Sequence, residues 1–298
     1  MGAQSGGRYY GKGEFMRERA QVFDPRQVMH KESFEIFHYK DPRPGAVEVH
    51  HHDFYEVYFL LAGEVSYWVE GRIIRLTPGD LLFINPMELH RPMTQDAGSA
   101  CERFVLWVNP EFLQAVSPKV NLAGCFDITR PNYFHRIRPN MQERAALTAR
   151  MGELVRESYG NDLGCEPAAY GIFLQLMVQL NRVARRGGET EGSQLSALVQ
   201  GAMQFIGENL SGDLSLEGIA QRLFVSKYHL SHAFSREVGV SLYRYVMLRR
   251  LMLARQLLLA GESAAGVCRS CGFTDYTSFY RAFKSEYGIS PREFATGV

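Results

Sequence analysis

Two related stretches near the end of the chain decide the fold. Leu216–Ser241 reads LEGIAQRLFVSKYHLSHAFSREVGVS, and Ala264–Ser290 reads AAGVCRSCGFTDYTSFYRAFKSEYGIS. Phe234 of the first stretch recurs 49 positions later as Phe283, whereas residues near the start of the stretch recur at a spacing of 48. This self-similarity predicts two copies of one helix–turn–helix unit with slightly different turns. The segment between them, Tyr243–Ala260, carries an apolar stripe that predicts one long helix.

The second helix of each unit has an apolar side and a side with hydrogen-bond donors and aromatic rings. Leu230 and Phe279 are expected in the core, and Ser226 is expected to cap its helix. The outward side chains are of kinds that contact phosphates and base edges in a major groove, and the guanidinium of Arg281 fits guanine best. The predicted DNA-binding residues are Ser226, Lys227, Tyr228, Ser231, His232, Ser235, Thr274, Asp275, Tyr276, Thr277, Tyr280, Arg281 and Lys284.

Leu216–Ala295 resembles the DNA-binding domain of the AraC/XylS family of transcription regulators. The resemblance is carried by the spacing of the second unit, from Gly272-Phe273 to Ser290-Pro291, and by the intervening Arg250-Leu251-x-x-Ala254-x-x-Leu257-Leu258. It implies that two recognition helices enter successive major grooves, which lie about 34–36 Å apart. It also implies dimerisation and contact with RNA polymerase. Phe224 departs from the pattern, because the first unit often has Gly in this turn.

The first part of the chain predicts an antiparallel β domain. Between Phe34 and Val108, short runs rich in β-branched and aromatic residues alternate with turn signals about eight residues apart. The expected strands include Glu56–Leu61, Glu64–Val69, Arg72–Leu76 and Leu81–Asn85. This spacing favours a sandwich or barrel over a βαβ fold.

A histidine-rich segment precedes the second of these strands. His50-x-His52, Glu56 and Gly63 follow the spacing of the first cupin motif, and the later part of the zone keeps His90 but lacks the usual Gly and Asn of the second motif. The resemblance implies a cupin-like barrel that binds a small effector, frequently a sugar in AraC-like regulators. The predicted effector-binding residues are His50, His52, Glu56, Tyr58, Trp68 and His90. His51 is expected to be a solvent-facing turn residue.

No cofactor is required by the sequence, although His50, His52, Glu56 and His90 offer a set of ligands for a divalent metal. A cupin metalloenzyme with a helical appendage is therefore the alternative function. The Cys268-x-x-Cys271 pair lacks the partners that a zinc ribbon needs, and it is expected in the core.

Helical periodicity and composition complete the domain plan, which is an α+β multidomain chain. Residues 1–138 are predicted to form the cupin-like effector-binding domain, and 139–186 a helical pair that packs on the barrel or dimerises. Residues 187–194 are predicted to be a linker because they are polar and rich in Gly. Residues 195–298 are predicted to form an all-α DNA-binding domain with two helix–turn–helix units.

Composition excludes several classes of protein. The formal net charge is only +1, yet residues 211–298 carry 11 Lys/Arg against 7 Asp/Glu, a mildly basic balance compatible with DNA binding. Apolar runs are too short to span a membrane, and five scattered cysteines favour a reducing cytoplasm. The sequence therefore predicts a cytoplasmic, effector-controlled transcription regulator, expected to be a homodimeric activator with a sugar or sugar derivative as its effector.

Overall fold

The computed structural model describes residues 27–41, 47–93, 100–129, 133–187 and 193–296. Its N-terminal half is mostly β structure and the rest is mostly helical, as the predicted α+β class requires. The strands are β1 (Phe34–Asp41), β2 (Tyr55–Ala62), β3 (Val65–Val69), β4 (Arg72–Leu76), β5 (Leu81–Ile84), β6 (His90–Met93), β7 (Cys101–Val108), β8 (Arg136–Ile137) and β9 (Ser193–Gln194).

The strands form two antiparallel sheets that face each other. One has the order β1-β7-β2-β5-β8 and the other the order β6-β3-β4-β9. Side chains from both sheets, among them Phe37, Tyr58, Tyr67 and Ile74, share one interior. The tight turn between β3 and β4 has positive φ at both central residues, Glu70 and Gly71, which is the geometry favoured in two-residue hairpins.

The outer face of the five-stranded sheet is covered by helices. These are α1 (Pro110–Val116), α2 (Met141–Tyr159) and α3 (Cys165–Ala184), with a short 3₁₀ helix at Leu122–Phe126. Met151 of α2 and Phe173 of α3 are fully buried in one core with β-strand residues such as Phe59 and Phe83. The apolar stripes of α2 and α3 thus pack on the barrel.

The end of the predicted linker belongs to a sheet. Residues 188–192 lie outside the described part of the chain, but Ser193 and Gln194 form β9, which pairs with Arg72 and Ile73 of β4. An exposed strand edge offers unpaired backbone groups, and these two residues use them. The expectation that all of 187–194 is a linker is therefore wrong for its last two residues.

The C-terminal region contains seven helices among its described residues. They are α4 (Ala197–Glu208), α5 (Leu216–Arg222), α6 (Lys227–Val238), α7 (Leu242–Leu259), α8 (Ala264–Ser270), α9 (Tyr276–Tyr287) and α10 (Pro291–Thr296). Helices α5 and α6 form the first predicted unit, α8 and α9 form the second, and α7 connects them. Within the described residues, no helix is both long enough and apolar enough to cross a membrane.

The barrel and the helical region share a hydrophobic core. Val49, Trp68 and Leu89 of the β domain are buried together with residues of α4 to α7, including Phe234 and Leu248. The second unit has its own core, which includes Phe279 and Phe283. The two regions are thus packed against one another through α7 and the first unit.

Candidate effector pocket and DNA-binding surface

Three buried side chains converge at one end of the barrel interior. The candidate ligand atoms of His52, Glu56 and His90 all lie within 4.8 Å of one another. Glu56 is on β2 and His90 begins β6, so both sheets contribute to the cluster. An antiparallel bridge between His50 and His90 joins the histidine segment to β6. The sequence-predicted histidines are thereby brought together.

The backbone fixes which ring nitrogen of each histidine carries the proton. Nδ1 of His50, His52 and His90 lies 2.8, 2.9 and 2.9 Å from the carbonyl oxygens of Glu48, Phe54 and Glu88, respectively. A carbonyl oxygen only accepts, so each Nδ1 must donate. In a neutral ring Nε2 then keeps its lone pair, and in His52 and His90 this atom is buried without a hydrogen-bond partner among the described residues.

Glu56 supplies a negative charge beside these nitrogens. Its Oε2 accepts a hydrogen bond of 2.8 Å from the indole Nε1 of Trp107 and lies 3.6 Å from Nε2 of His52. The hydrogen bond from Trp107 favours the charged form of the Glu56 carboxylate. Burial lowers the pKa of His90 and of His50, which favours neutral rings. The cluster can therefore offer lone pairs and a carboxylate to an electron-poor ligand.

The two aromatic residues predicted to bind the effector have different locations. Tyr58 lies in the barrel interior with Tyr67, and the guanidinium of Arg103 lies 6.0 Å from its ring. Trp68 belongs instead to the core shared with the helical region and does not line the barrel interior. Because side chains alternate along a strand, Tyr67 and Trp68 of β3 must face opposite sides. The prediction that Trp68 lines the effector site is therefore wrong.

His51 also differs from its prediction. Its side chain is only 5% exposed, and Nε2 lies 3.5 Å from Oε1 of Glu286 at the end of α9. The other carboxylate oxygen of Glu286 pairs with Arg244 of α7 at 3.0 Å. Burial, the two neighbouring histidines and nearby arginines lower the pKa of His51 to about 3. His51 is thus a neutral residue of the domain interface and not a solvent-facing turn residue.

Two arginines of helix α7 make polar contacts with the barrel. Nη1 of Arg249 lies 3.1 Å from both carboxylate oxygens of Glu70, in the β3–β4 turn. The same carboxylate accepts a hydrogen bond of 2.8 Å from the amide of Leu89, the residue before His90. Farther along α7, Arg255 pairs with Asp53 at 3.0 Å. The pocket residues therefore have sequence neighbours that contact the helix joining the two DNA-binding units.

Side-chain caps begin both predicted recognition helices. Ser226 accepts a hydrogen bond from the amide of His229 and so caps α6, as predicted, and Asp275 accepts one from the amide of Ser278 and caps α9. Capping satisfies backbone donors that would otherwise be unpaired, so it explains both residues independently of DNA. Their predicted DNA contacts stay predictions.

The remaining predicted DNA contacts lie on the accessible side of the two units. Tyr228 is 78% exposed and Tyr276 is 43% exposed, unusual values for aromatic side chains. Ser231 and Tyr280 are partly buried, and Lys227 pairs with Glu217. The exposed members of the set are Lys227, Tyr228, His232, Ser235, Thr274, Tyr276, Thr277, Arg281 and Lys284. Each recognition helix thus presents a polar and aromatic surface suited to a groove.

Phe224 adopts the backbone conformation that Gly272 has in the second unit. Phe224 has φ 56° and is 91% exposed, and Gly272 has φ 74° at the corresponding turn of the second unit. Positive φ is strained for a bulky residue and free of strain for Gly. The first unit therefore keeps the backbone of a glycine turn while presenting an aromatic ring to solvent.

Cys268 and Cys271 are buried in the core of the second unit, as predicted. Sequence reasoning missed other residues of the site. His229 and Arg236 are exposed on α6 and extend its polar surface. The contacts of Glu70 with Arg249 and of Asp53 with Arg255 join residues far apart in the chain, and no local pattern in the sequence indicates them.

Comparison with known proteins agrees with this division of the chain. A model of the AraC-like ligand-binding domain matches residues 33–177, and a model of a helix-turn-helix domain matches residues 219–297. The chain belongs to the AraC/XylS family. The two matches cover the barrel with its helical pair and the two DNA-binding units, respectively.

Relatives within the family align with most of the chain. The HTH-type transcriptional activator RhaS of Escherichia coli is 25% identical over 251 residues, which cover 83% of this chain and 87% of that protein. RhaS of Escherichia fergusonii is 26% identical over 262 residues, covering 85% and 89%. Among solved structures, ToxT from Vibrio cholerae covers 91% of this chain and 99% of its own at 14% identity and a TM-score of 0.36.

Family membership decides between the two functions kept open by the sequence. Members of the AraC/XylS family with these two domains are effector-controlled, DNA-binding transcription regulators. The helical region is therefore the DNA-binding domain and not an appendage of a cupin enzyme. The chain is a regulator and not an enzyme.

Proposed function

We propose that the protein is a transcription activator that binds its operator as a homodimer, contacts RNA polymerase and responds to an effector in the barrel. The observation that carries the proposal is that helix α7 both joins the two helix–turn–helix units and contacts the barrel beside the His52–Glu56–His90 cluster. The names of the RhaS relatives support activation. DNA as the target makes the cytoplasm the site of action.

DNA binding by two linked helices requires that both be accessible and held at a fixed spacing. The start of α6 and the start of α9 are exposed, and α7 is a continuous helix of 18 residues between the units. A rigid connector of this kind suits recognition of successive major grooves on one face of the duplex. Arg281 and Lys284 add cations for phosphate or base contacts on α9.

The effector is proposed to act through the contacts between the barrel and α7. His51 and Asp53 flank His52, and Leu89 precedes His90, so a ligand held by His52 and His90 moves or fixes residues that contact the DNA-binding domain. A ligand shifts this equilibrium only if it binds one arrangement of the domains more tightly than another. The proposed response is therefore a change in the docking of α7, with a consequent change in DNA affinity.

Dimerisation is proposed through the outer surface of α2 and α3. The buried stripes of these helices cover the barrel, so a dimer would use their exposed sides. Two large apolar side chains are exposed in this region: Met141 at the start of α2 is 85% exposed, and Leu163 in the turn between α2 and α3 is 106% exposed. Joining two chains raises affinity because binding at the second half-site becomes effectively intramolecular.

A sugar effector was expected from the family resemblance, and the structure removes one of its proposed contacts. Trp68 lies in the domain interface, so it cannot stack on a sugar ring inside the barrel. Glu56 and Tyr58 stay in the interior as groups able to bind hydroxyls. A sugar remains the second candidate effector and is tested beside the first.

The DNA-binding proposal is tested with Arg281→Ala and a matched control. Loss of a bidentate guanine contact is expected to weaken binding to the specific site by about 1–3 kcal/mol and to relax preference at one base pair. Arg75→Ala is the control, because Arg75 is also exposed but lies on β4 of the barrel, away from both recognition helices and from α2 and α3. Both affinities are measured by fluorescence anisotropy on the operator and on single-base variants of it.

Two results would count against this assignment. If Arg281→Ala and Arg75→Ala bind the operator equally well, Arg281 does not read the sequence. If the parent protein binds the operator no better than random DNA at low salt, the chain is not a sequence-specific regulator.

A further inference from the structure

The cluster of His52, Glu56 and His90 in the barrel has the features of a metal site. Both buried Nε2 atoms, of His52 and His90, lack a hydrogen-bond partner among the described residues. A buried polar atom without a partner costs about 1–3 kcal/mol. The presence of two such atoms beside a carboxylate indicates a ligand that accepts electron pairs.

The other ring nitrogens strengthen this interpretation. Metal-binding histidines almost always donate their second N–H to a carbonyl or carboxylate, which fixes the tautomer and the orientation of the ring. His50, His52 and His90 each make this bond through Nδ1 to a backbone carbonyl. Trp107 orients the carboxylate of Glu56 in the same way, by donating Nε1 to Oε2.

We propose that the effector of this regulator is a divalent first-row transition-metal ion, held by Nε2 of His52, Nε2 of His90 and the carboxylate of Glu56. His50, whose ring centroid lies 4.2 Å from that of His90, is positioned to approach as a further nitrogen donor. This inference rests on the proposed function, because it names the ligand to which the DNA-binding domain responds.

The separations of these atoms fit a single shared ion. Two ligands held about 2.1 Å from one ion at a tetrahedral angle lie about 3.4 Å apart. Nε2 of His52 and Oε2 of Glu56 are 3.6 Å apart, and the three ligand atoms all lie within 4.8 Å of one another. Three ligand atoms this close to one another can share one ion. Imidazole with carboxylate suits Zn, Mn, Fe or Ni.

Metal binding has a direct structural consequence for the domain interface. Fixing His52 also fixes its neighbours His51 and Asp53, which face Glu286 of α9 and Arg255 of α7. Fixing His90 fixes Leu89, whose amide donates to the Glu70 carboxylate that pairs with Arg249. The ion therefore stiffens segments of the barrel that contact α7 and α9.

The first test measures metal binding by the full chain, stripped with a chelator and then dialysed. Calorimetric titration with Zn²⁺ and the visible absorption of added Co²⁺ are expected to show about one tight site per chain. His52→Ala should weaken Zn²⁺ binding by more than the roughly 10–100-fold that is lost when only a residue orienting a metal ligand is removed. Glu56→Gln should also weaken it and can still accept the hydrogen bond from Trp107, so it serves if the alanine variant fails to fold.

His51→Ala is the matched control, because its side chain belongs to the same segment but faces the other domain. It should keep the Zn²⁺ affinity and the Co²⁺ spectrum of the parent. Equal Zn²⁺ affinity of the parent, His52→Ala and Glu56→Gln would overturn the proposal, since binding would then not use this pocket.

The second test separates the metal proposal from the proposed function. Operator affinity of the full chain is measured with Zn²⁺, with chelator and with a panel of sugars. A change of about fivefold or more with Zn²⁺, abolished in His52→Ala, is expected for an effector. A response to a sugar but not to Zn²⁺ overturns the metal proposal and leaves the regulator intact. Failure to bind operator DNA specifically under every condition overturns both.

Discussion

Alanine replacement of Glu70, of Arg249 and of both together measures the contact between the β3–β4 turn and helix α7. One guanidinium nitrogen lies 3.1 Å from both carboxylate oxygens, and the two side chains are 29% and 28% exposed. Opposite charges about 4 Å apart near a protein surface attract by about 4 kcal/mol before other costs. Lost hydration and the ordering of two long side chains offset most of this, so we expect a coupling energy of about 1 kcal/mol.

The four proteins of this cycle are compared by urea unfolding at low salt and again at high salt. The coupling energy should shrink at high salt, because ions screen charges that remain partly exposed. The pair Lys227 and Glu217 is the control, since its side chains are 44% and 66% exposed and the expected coupling is near zero. If the effects of Glu70→Ala and Arg249→Ala add within about 0.3 kcal/mol, the two residues do not interact and the docked arrangement is wrong.

Two further predictions concern strain and acidity. Phe224→Gly should raise the unfolding free energy by up to about 1 kcal/mol, because relief of left-handed strain outweighs the added chain entropy. Gly272→Ala should lower the unfolding free energy, since an added Cβ would lie 2.5 Å from the carbonyl oxygen of Leu210. Thermal unfolding of the two variants checks both predictions, and equal shifts of the unfolding temperature would contradict the turn geometry. Burial alone would raise the pKa of Asp80, but Arg138 and a backbone amide bring it below its ordinary value. The stabilisation that ionised Asp80 provides is therefore complete above about pH 4, and it is lost as the pH falls through the lower pKa of the folded state. Asp80→Asn should lower the unfolding free energy by about 1–3 kcal/mol at pH 7 and weaken its dependence on pH below pH 4. If the unfolding free energy of the variant depends on pH as that of the parent does, Asp80 does not have this role.

The local pattern of the sequence was enough to predict much of the fold. The expected strands Arg72–Leu76 and Glu64–Val69 differ from the observed β4 and β3 by at most one residue at an end. These strands are predicted correctly because the alternation of side chains and the turn residues depend on only a few neighbouring positions. The internal repeat likewise predicted both helix–turn–helix units.

The errors lie where two distant parts of the chain meet. Alternation places Tyr67 and Trp68 on opposite faces of β3, but it does not tell which face lines the barrel and which meets another domain. His51 was expected in solvent for the same reason, because Glu286 is far away in sequence. Ser193 and Gln194 pair with β4 because this edge of the sheet is available to them. Two polar residues carry no pattern that predicts a strand.

Footprinting on the DNA upstream of the protein's own gene and neighbouring genes tests the central claim most directly. The purified full chain is examined with Zn²⁺, with chelator and with a panel of sugars. The expected result is protection over successive major grooves about 34–36 Å apart, altered by one effector. Protection that is the same under all conditions would contradict effector control through the barrel, and no protection at low salt would contradict DNA recognition itself.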